Sequence, residues 1–222
     1  MSGFIKGLLT VVVGTALAVA AVLLVNVALD SPVSFYWAAL GAALFGLAFG
    51  LQAGIFGIYP LPRFKGWLEL VVDMTWSLPN TIFGFIIGNS IYPFFGNVSK
   101  NLSKDSGWIV YMPPAGSSGF GKNVLQTLGT INIGGAGQHE RMHLLQARIF
   151  GVFYLALFGL NYVITFTIQV LWTFTIGGLL CLLKVRQKPY FSPPTRSAVK
   201  GFFGWIYYAT VFELWAYAAG NP

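Results

Sequence analysis

Long apolar runs separated by short polar or proline-bearing breaks organise this chain. The first run, Phe4 to Leu29, holds a single charge, Lys6, near its start. A membrane-spanning helix needs about 20 apolar residues, and this run supplies them. It exceeds the ~7–15-residue apolar core of a cleavable signal peptide, so it predicts a retained first helix. Asp30-Ser31-Pro32 ends it. The second run, Phe35 to Tyr59, carries Gly46, Gly50 and Gly54 at four-residue spacing. Those glycines share one helix face, where another transmembrane helix can approach closely.

A basic turn containing Arg63 and Lys65 leads into the third run, Gly66 to Phe95. Glu69 and Asp73 lie one helical turn apart on one face of it. Acids at membrane depth are expensive and face a bundle interior or a wet cavity, so an ion path is one use for them. Pro79 predicts a break or kink. Gly84 and Gly88 form a second close-packing pair for a neighbouring helix.

The apolar pattern stops over residues 97–138, where Gly, Ser, Lys, Asn and Pro dominate. Two short β-like stretches, Trp108 to Met112 and Thr127 to Ile133, interrupt them. Asn97-Val98-Ser99 and Asn101-Leu102-Ser103 both fit the glycosylation acceptor pattern. Apolar sequence then resumes from Ile149 to Leu183. One straight helix of that length would measure ~50 Å against a ~30 Å bilayer core. It is therefore tilted, or broken near Gly177-Gly178. A final run, Gly201 to Ala219, is long enough to cross once.

These runs predict an all-α membrane protein, a polytopic bundle of about five transmembrane helices with a small β-containing extramembrane loop. Residues 1–96 hold three spans, 97–138 the loop, and 139–222 the remainder. Lys6, Arg63, Lys65, Lys184, Arg186, Lys188, Arg196 and Lys200 fall on one side of such a bundle. The smaller set, Lys100, Lys104, Lys122, Arg141 and Arg148, falls on the other. The positive-inside rule then puts the N-terminus in the cytoplasm and residues 139–143 and the C-terminus outside.

Composition supports a lipid environment. Apolar residues make up 56% of the 222 and charged residues 9%, against roughly 25% charged in a soluble domain. So few polar groups cannot cover a soluble surface. The net charge of +7 does not indicate nucleic acid, because the basic residues sit at the ends of apolar runs and form no patch. Cys181 is the only cysteine, which excludes an intramolecular disulfide and a cysteine-based metal site.

The candidate chemistry lies in the only two histidines, within His139-Glu140-Arg141-Met142-His143. Residues four apart share a helix face, so both imidazoles can reach one metal ion. Glu140 projects beside them as a general base for a water that zinc would activate. Gly134, Gly135 and Gly137 discourage a helix before the motif, so His139 belongs to its first turn. A catalytic zinc usually takes a third protein ligand. Glu69, Asp73, Asp105 and Glu213 are the carboxylate candidates. With five spans, the last helix travels outward and brings Glu213 to the level of the motif, which ranks it first. Glu69 or Asp73 could instead steady an imidazole from behind.

The stretch His139 to Gly151 resembles a group of bacterial zincin-like metallopeptidases. Their His-Glu-Arg-x-His-x-x-Gln segment with a later Gly is matched by His139, Glu140, Arg141, His143, Gln146 and Gly151. Thr127-Leu128-Gly129 looks like the family's edge strand. Phe212-Glu213-Leu214-Trp215-Ala216-Tyr217 matches the family's Phe-Glu-x-x-Ala-Tyr, which implies that Glu213 is the third zinc ligand. Gln146 and Tyr217, as motif positions, join Glu69 and Asp73 as residues that could hold the ligands in place. Tyr207, Tyr208 or Tyr217 could steady an oxyanion. Two functions follow as expectations. One is a membrane-embedded zinc metallopeptidase. The other is a non-catalytic accessory subunit of a larger membrane complex, in which any metal is structural.

Overall fold

The computed structural model of the chain describes residues 2–114, 126–135, 137–197 and 199–220; Lys122, part of the charge-bias argument, lies outside them. The chain divides into two compact units. Met1–Ala136 with Leu144–Val152 makes the first, and Gly137–His143 with Phe153–Pro222 the second.

The first unit begins with two long helices, α1 (Gly3–Ala28) and α2 (Phe35–Phe56). The Ser2 hydroxyl caps α1 by accepting from the Ile5 N–H. Gly57, at φ +62°, closes α2 in the left-handed conformation that favours glycine. The helices pack antiparallel through the predicted glycine face. A Cβ on Gly46 would lie 2.7 Å from Thr15 Cα, and one on Gly50 2.9 Å from Val11 Cα. One on Gly54 would meet the Gly7 carbonyl at 2.9 Å. Only a missing side chain permits backbones this close.

The third apolar run is not one helix. It bends by 82° between α3 (Phe64–Met74) and the segment beginning with α4 (Leu78–Ile91). Pro79 sits in the first turn of α4, where its missing N–H breaks no helical bond. The polar groups at the bend find partners around residue 150. Trp76 Nε1 donates to the Ile149 carbonyl at 3.1 Å, Ser77 Oγ to that of Ala147 at 2.9 Å, and Asn80 Nδ2 to that of Gly151 at 2.7 Å.

A small mixed sheet follows, with strands β1 (Asn97–Val98), β2 (Ile109–Met112), β3 (Gln126–Leu128) and β4 (Ile131–Ile133) in the order β1-β2-β4-β3. The short helix α5 (Lys100–Ser103) lies between β1 and β2. β2 runs parallel to β4, with Ile109 opposite Ile131. The stretch expected as one strand at 127–133 is a hairpin that turns at Gly129 (φ +52°). Gly84 and Gly88 serve this sheet and not the expected helix. A Cβ on Gly84 would strike the Leu128 carbonyl, and one on Gly88 would lie 2.7 Å from Ile131 Cγ2.

The structure does not confirm the five-span alternation. Asp105 and Gly107 donate their N–H groups to the Gly57 and Ile58 carbonyls, each at 2.9 Å. Lys6 Nζ approaches Asp105 Oδ1 at 3.9 Å. The start of α1, the end of α2 and the start of the loop therefore share one end of the helical pair. Five alternating spans would have separated Lys6 from Asp105 by a bilayer. A chain that turns by 82° after α3 need not cross there.

Among the described residues, three helical stretches are long and apolar enough to cross a membrane: Gly3–Ala28, Phe35–Phe56 and Gln138–Leu182. The bent pair would make a fourth. The last stretch comprises α6 (Gln138–Phe150), a 3₁₀ turn at Gly151–Phe153, α7 (Tyr154–Phe174) and α8 (Ile176–Leu182). Within the second unit the expected final span is interrupted, giving α9 (Gly201–Tyr208) and α10 (Val211–Ala219). At 8 and 9 residues, neither reaches the ~20 needed to cross. Gln169, fully buried on α7, holds the segment between α8 and α9 and the start of α9 by accepting from the Phe191 N–H and donating to the Phe191 and Phe202 carbonyls.

A buried ion cluster locks the first unit. Arg148 donates from Nε and Nη2 to the two Asp73 oxygens at 2.8 and 2.7 Å, and from Nη1 to Glu69 Oε1 at 2.9 Å. The Gly107 carbonyl accepts from Nη2, and Tyr59 donates to Asp73. Removing one partner strands the other charge in a low dielectric. Asp73→Ala should therefore destabilise the protein by ~3–5 kcal/mol, read as a lower thermal midpoint in detergent.

Candidate metal centre

Helix α6 opens directly after the glycine-bearing turn, with His139 in its first turn and His143 one turn on. Glu213 comes from α10, 70 residues further along. Thr210 fixes its position, since the Thr210 hydroxyl accepts from the Glu213 N–H and starts the helix there. All three residues belong to the second unit.

The three side chains converge in a buried place; His139, His143 and Glu213 are 0%, 7% and 3% exposed. The two Nε2 atoms face each other at 3.2 Å. The carboxylate straddles them, with Oε2 3.3 Å from His139 Nε2 and Oε1 3.5 Å from His143 Nε2. Ligand atoms around a tetrahedral ion with bonds of 2.0–2.1 Å stand ~3.3 Å apart. The group therefore fits a metal ion in spacing as well as in donor type. Electron-rich atoms aimed at one buried point repel unless a proton or a cation lies between them. Glu213 Oε2 and His139 Nδ1 are buried without a hydrogen-bond partner, so the 3.3 Å contact to Oε2 is an ion-pair approach with poor alignment. Both features suit a site shaped for a cation.

Tyrosines line this place. The Tyr217 ring lies 4.6 Å from that of His139, edge on, and Tyr208 packs 5.0 Å from Tyr217. Among the tyrosines named for an oxyanion role, Tyr207 bonds through its hydroxyl to Glu213. Burial and the neighbouring carboxylate push the Tyr207 phenol up, so it stays a donor. Burial pushes the Glu213 carboxyl up as well. The adjacent imidazoles of His139 and His143, with the bond from Tyr207, outweigh it and hold the carboxyl at about 2 instead of its ordinary 4.5.

Glu140 is buried at 2% exposure, and with Glu213 it lies within electrostatic reach of the Tyr154 hydroxyl. Gln146 is fully buried and belongs to the first unit. The other acids are engaged elsewhere. Glu69 and Asp73 bind Arg148, and Asp105 faces Lys6. Sequence reasoning missed Tyr154 and Tyr162, both within the electrostatic field of Glu213. It also read Arg196 only as a loop cation. One available signal was Thr210-Val211-Phe212-Glu213, the Thr-x-x-Glu pattern that starts helices.

No family model, curated protein or solved structure matches the chain.

Glu213→Gln should lower metal affinity at least tenfold, read as metal retained per protein after dialysis against a weak chelator. The pH dependence has a definite sign. A carboxyl held at about 2 stabilises the fold above its ordinary 4.5, and that contribution is lost as pH falls towards about 2. The metal-free Glu213→Gln protein should therefore show a shallower loss of stability over that window than the metal-free parent.

Proposed function

We propose that this chain is a membrane-embedded, zinc-dependent hydrolase of the zincin-like kind, cleaving a peptide or amide bond near the membrane surface. The observation that carries the reading is the convergence of Glu213 on both histidines of an HExxH helix. Two imidazoles and one carboxylate are the protein ligands of a catalytic zinc in several metallopeptidases, which leaves a fourth position open. His139, His143 and Glu213 hold the ion, and Thr210 and Tyr207 hold Glu213.

The bound ion supplies Lewis-acid polarisation of the substrate carbonyl. Glu140 accepts the proton of the attacking water and returns it to the departing amine. Tyr154 or Tyr207, each within electrostatic reach of the carboxylates, can donate to the oxygen on which charge develops. Burial of the whole group keeps its dielectric low, so each of these interactions is stronger than it would be in water.

The burial also favours a second reading, in which the same ion is structural and the chain is an accessory subunit of a larger membrane complex. A closed centre stabilises without needing a route for substrate. One substitution separates the two. In the hydrolase, Glu140→Gln retains zinc but lowers turnover of a peptide library by ~10²–10⁴-fold. Equal turnover in the parent and the variant would remove the general-base role. Absence of any turnover, with zinc bound at one per chain, would favour the structural subunit.

A further inference from the structure

The segment between α8 and α9 carries Lys184, Arg186, Lys188, Arg196 and Lys200 and no acid. Two of these cations rest on local rings, Arg186 over Trp172 and Phe191 and Lys188 over Tyr190. Arg196 differs in the ring it uses. Its guanidinium lies 5.4 Å from the Tyr208 ring centre and 5.8 Å from that of Tyr217. Tyr217 is also the ring that packs 4.6 Å from His139. A single aromatic ring thus separates this fixed positive charge from the metal donors.

The guanidinium is anchored but not neutralised. Nε donates to the Tyr208 hydroxyl at 3.0 Å, and Nη2 donates to the same oxygen. An arginine has five N–H donors, and the remaining ones meet no carboxylate among the described residues. Arg196 is exposed, so an incoming anion can reach it. Stacking and the Tyr208 bond set the orientation of the fork before a ligand arrives, which reduces the ordering cost of binding. Glu140 and Glu213 would repel a carboxylate approaching the centre, and a neutral amide would need no cation here. A guanidinium in this place offsets that repulsion and matches a planar carboxylate with paired donors.

We propose that Arg196 forms an anion subsite of the centre, and that the substrate presents a free carboxylate there, as the C-terminus of a peptide does, while the bond to be cut lies at His139, His143 and Glu213. This rests on the hydrolase reading above. It makes the activity one that trims residues from a free C-terminal end.

The test uses the full-length protein in detergent, with and without added zinc. N-acetyl-leucine and N-acetyl-leucinamide, which differ in the terminal charge, are titrated calorimetrically. The parent should bind the carboxylate about tenfold more tightly or better, the scale of a hydrogen bond to a charged group. Arg196→Gln should abolish that preference with zinc content unchanged, and Arg196→Lys should keep only part of it. Equal binding of the two probes by the parent, or a preference that survives in Arg196→Gln, overturns the proposal. So does loss of the preference on adding phosphatidylglycerol but not phosphatidylcholine, because a lipid headgroup would then be the occupant. Zinc content separates the two ideas. A protein that takes no zinc yet keeps an Arg196-dependent preference refutes the hydrolase and leaves the anion subsite standing. One that binds zinc without the preference refutes the subsite alone.

Discussion

Burying ionised groups costs several kcal/mol each unless a partner is supplied, and that cost organises this chain. Of its six acids, Glu69, Asp73, Glu140 and Glu213 are buried. Helix α6 supplies basic partners to both sets, Arg148 within the first unit and His139 and His143 within the second. This makes sense of its composition. Among helices built from Leu, Phe, Ala and Gly, it alone reads Gln-His-Glu-Arg-Met-His-Leu-Leu-Gln-Ala-Arg. Its polar side chains have specific acids to meet, so the helix is polar without being a surface helix.

The centre in the second unit and the cluster in the first solve the same problem differently. Arg148 is always charged and answers its acids with four close, well-directed bonds, one of them to a carbonyl. The imidazoles offer two lone-pair nitrogens 3.2 Å apart and leave Glu213 Oε2 without a donor. The first arrangement is complete as it stands. The second is geometrically ordered and chemically unfinished, which separates a structural ion pair from a site with capacity for a ligand.

Much of this was legible in the sequence because the relevant signals are periodic or rare. Apolar runs of 20 or more residues mark α1 and α2, glycines at four-residue spacing mark their contact, and two histidines at i and i+4 admit few readings. Glu213 was reached through a five-span alternation and the Phe-Glu-x-x-Ala-Tyr match, and it meets the histidines although α10 is too short to cross. The losses share a physical cause, in that hydropathy does not register how a chain ends or turns. The bend at Thr75–Ser77 depends on side chains bonding to carbonyls around residue 150. The break before α10 depends on one threonine hydroxyl. Gly84 and Gly88 announce a close neighbour but do not say whether it is a helix or a strand. Arg148 and Arg196 were both read as ordinary cations, because nothing local to an arginine reveals an acid or a tyrosine ring elsewhere in the sequence.

The distance along the chain between Asp73 and Arg148, 75 residues, bears on how the protein is made. Helix α3 leaves the ribosome with two acids and one cation, Lys65, which approaches Glu69 at 3.7 Å and leaves Asp73 without its arginine. It cannot settle into a hydrocarbon layer at that stage, and at 11 residues it is too short to be held there by its own apolar surface. It must wait at the water boundary until α6 has been synthesised. Docking of α3 is then a late event of assembly, and a nascent chain truncated before residue 148 would leave that segment accessible to a protease while α1 and α2 are already protected.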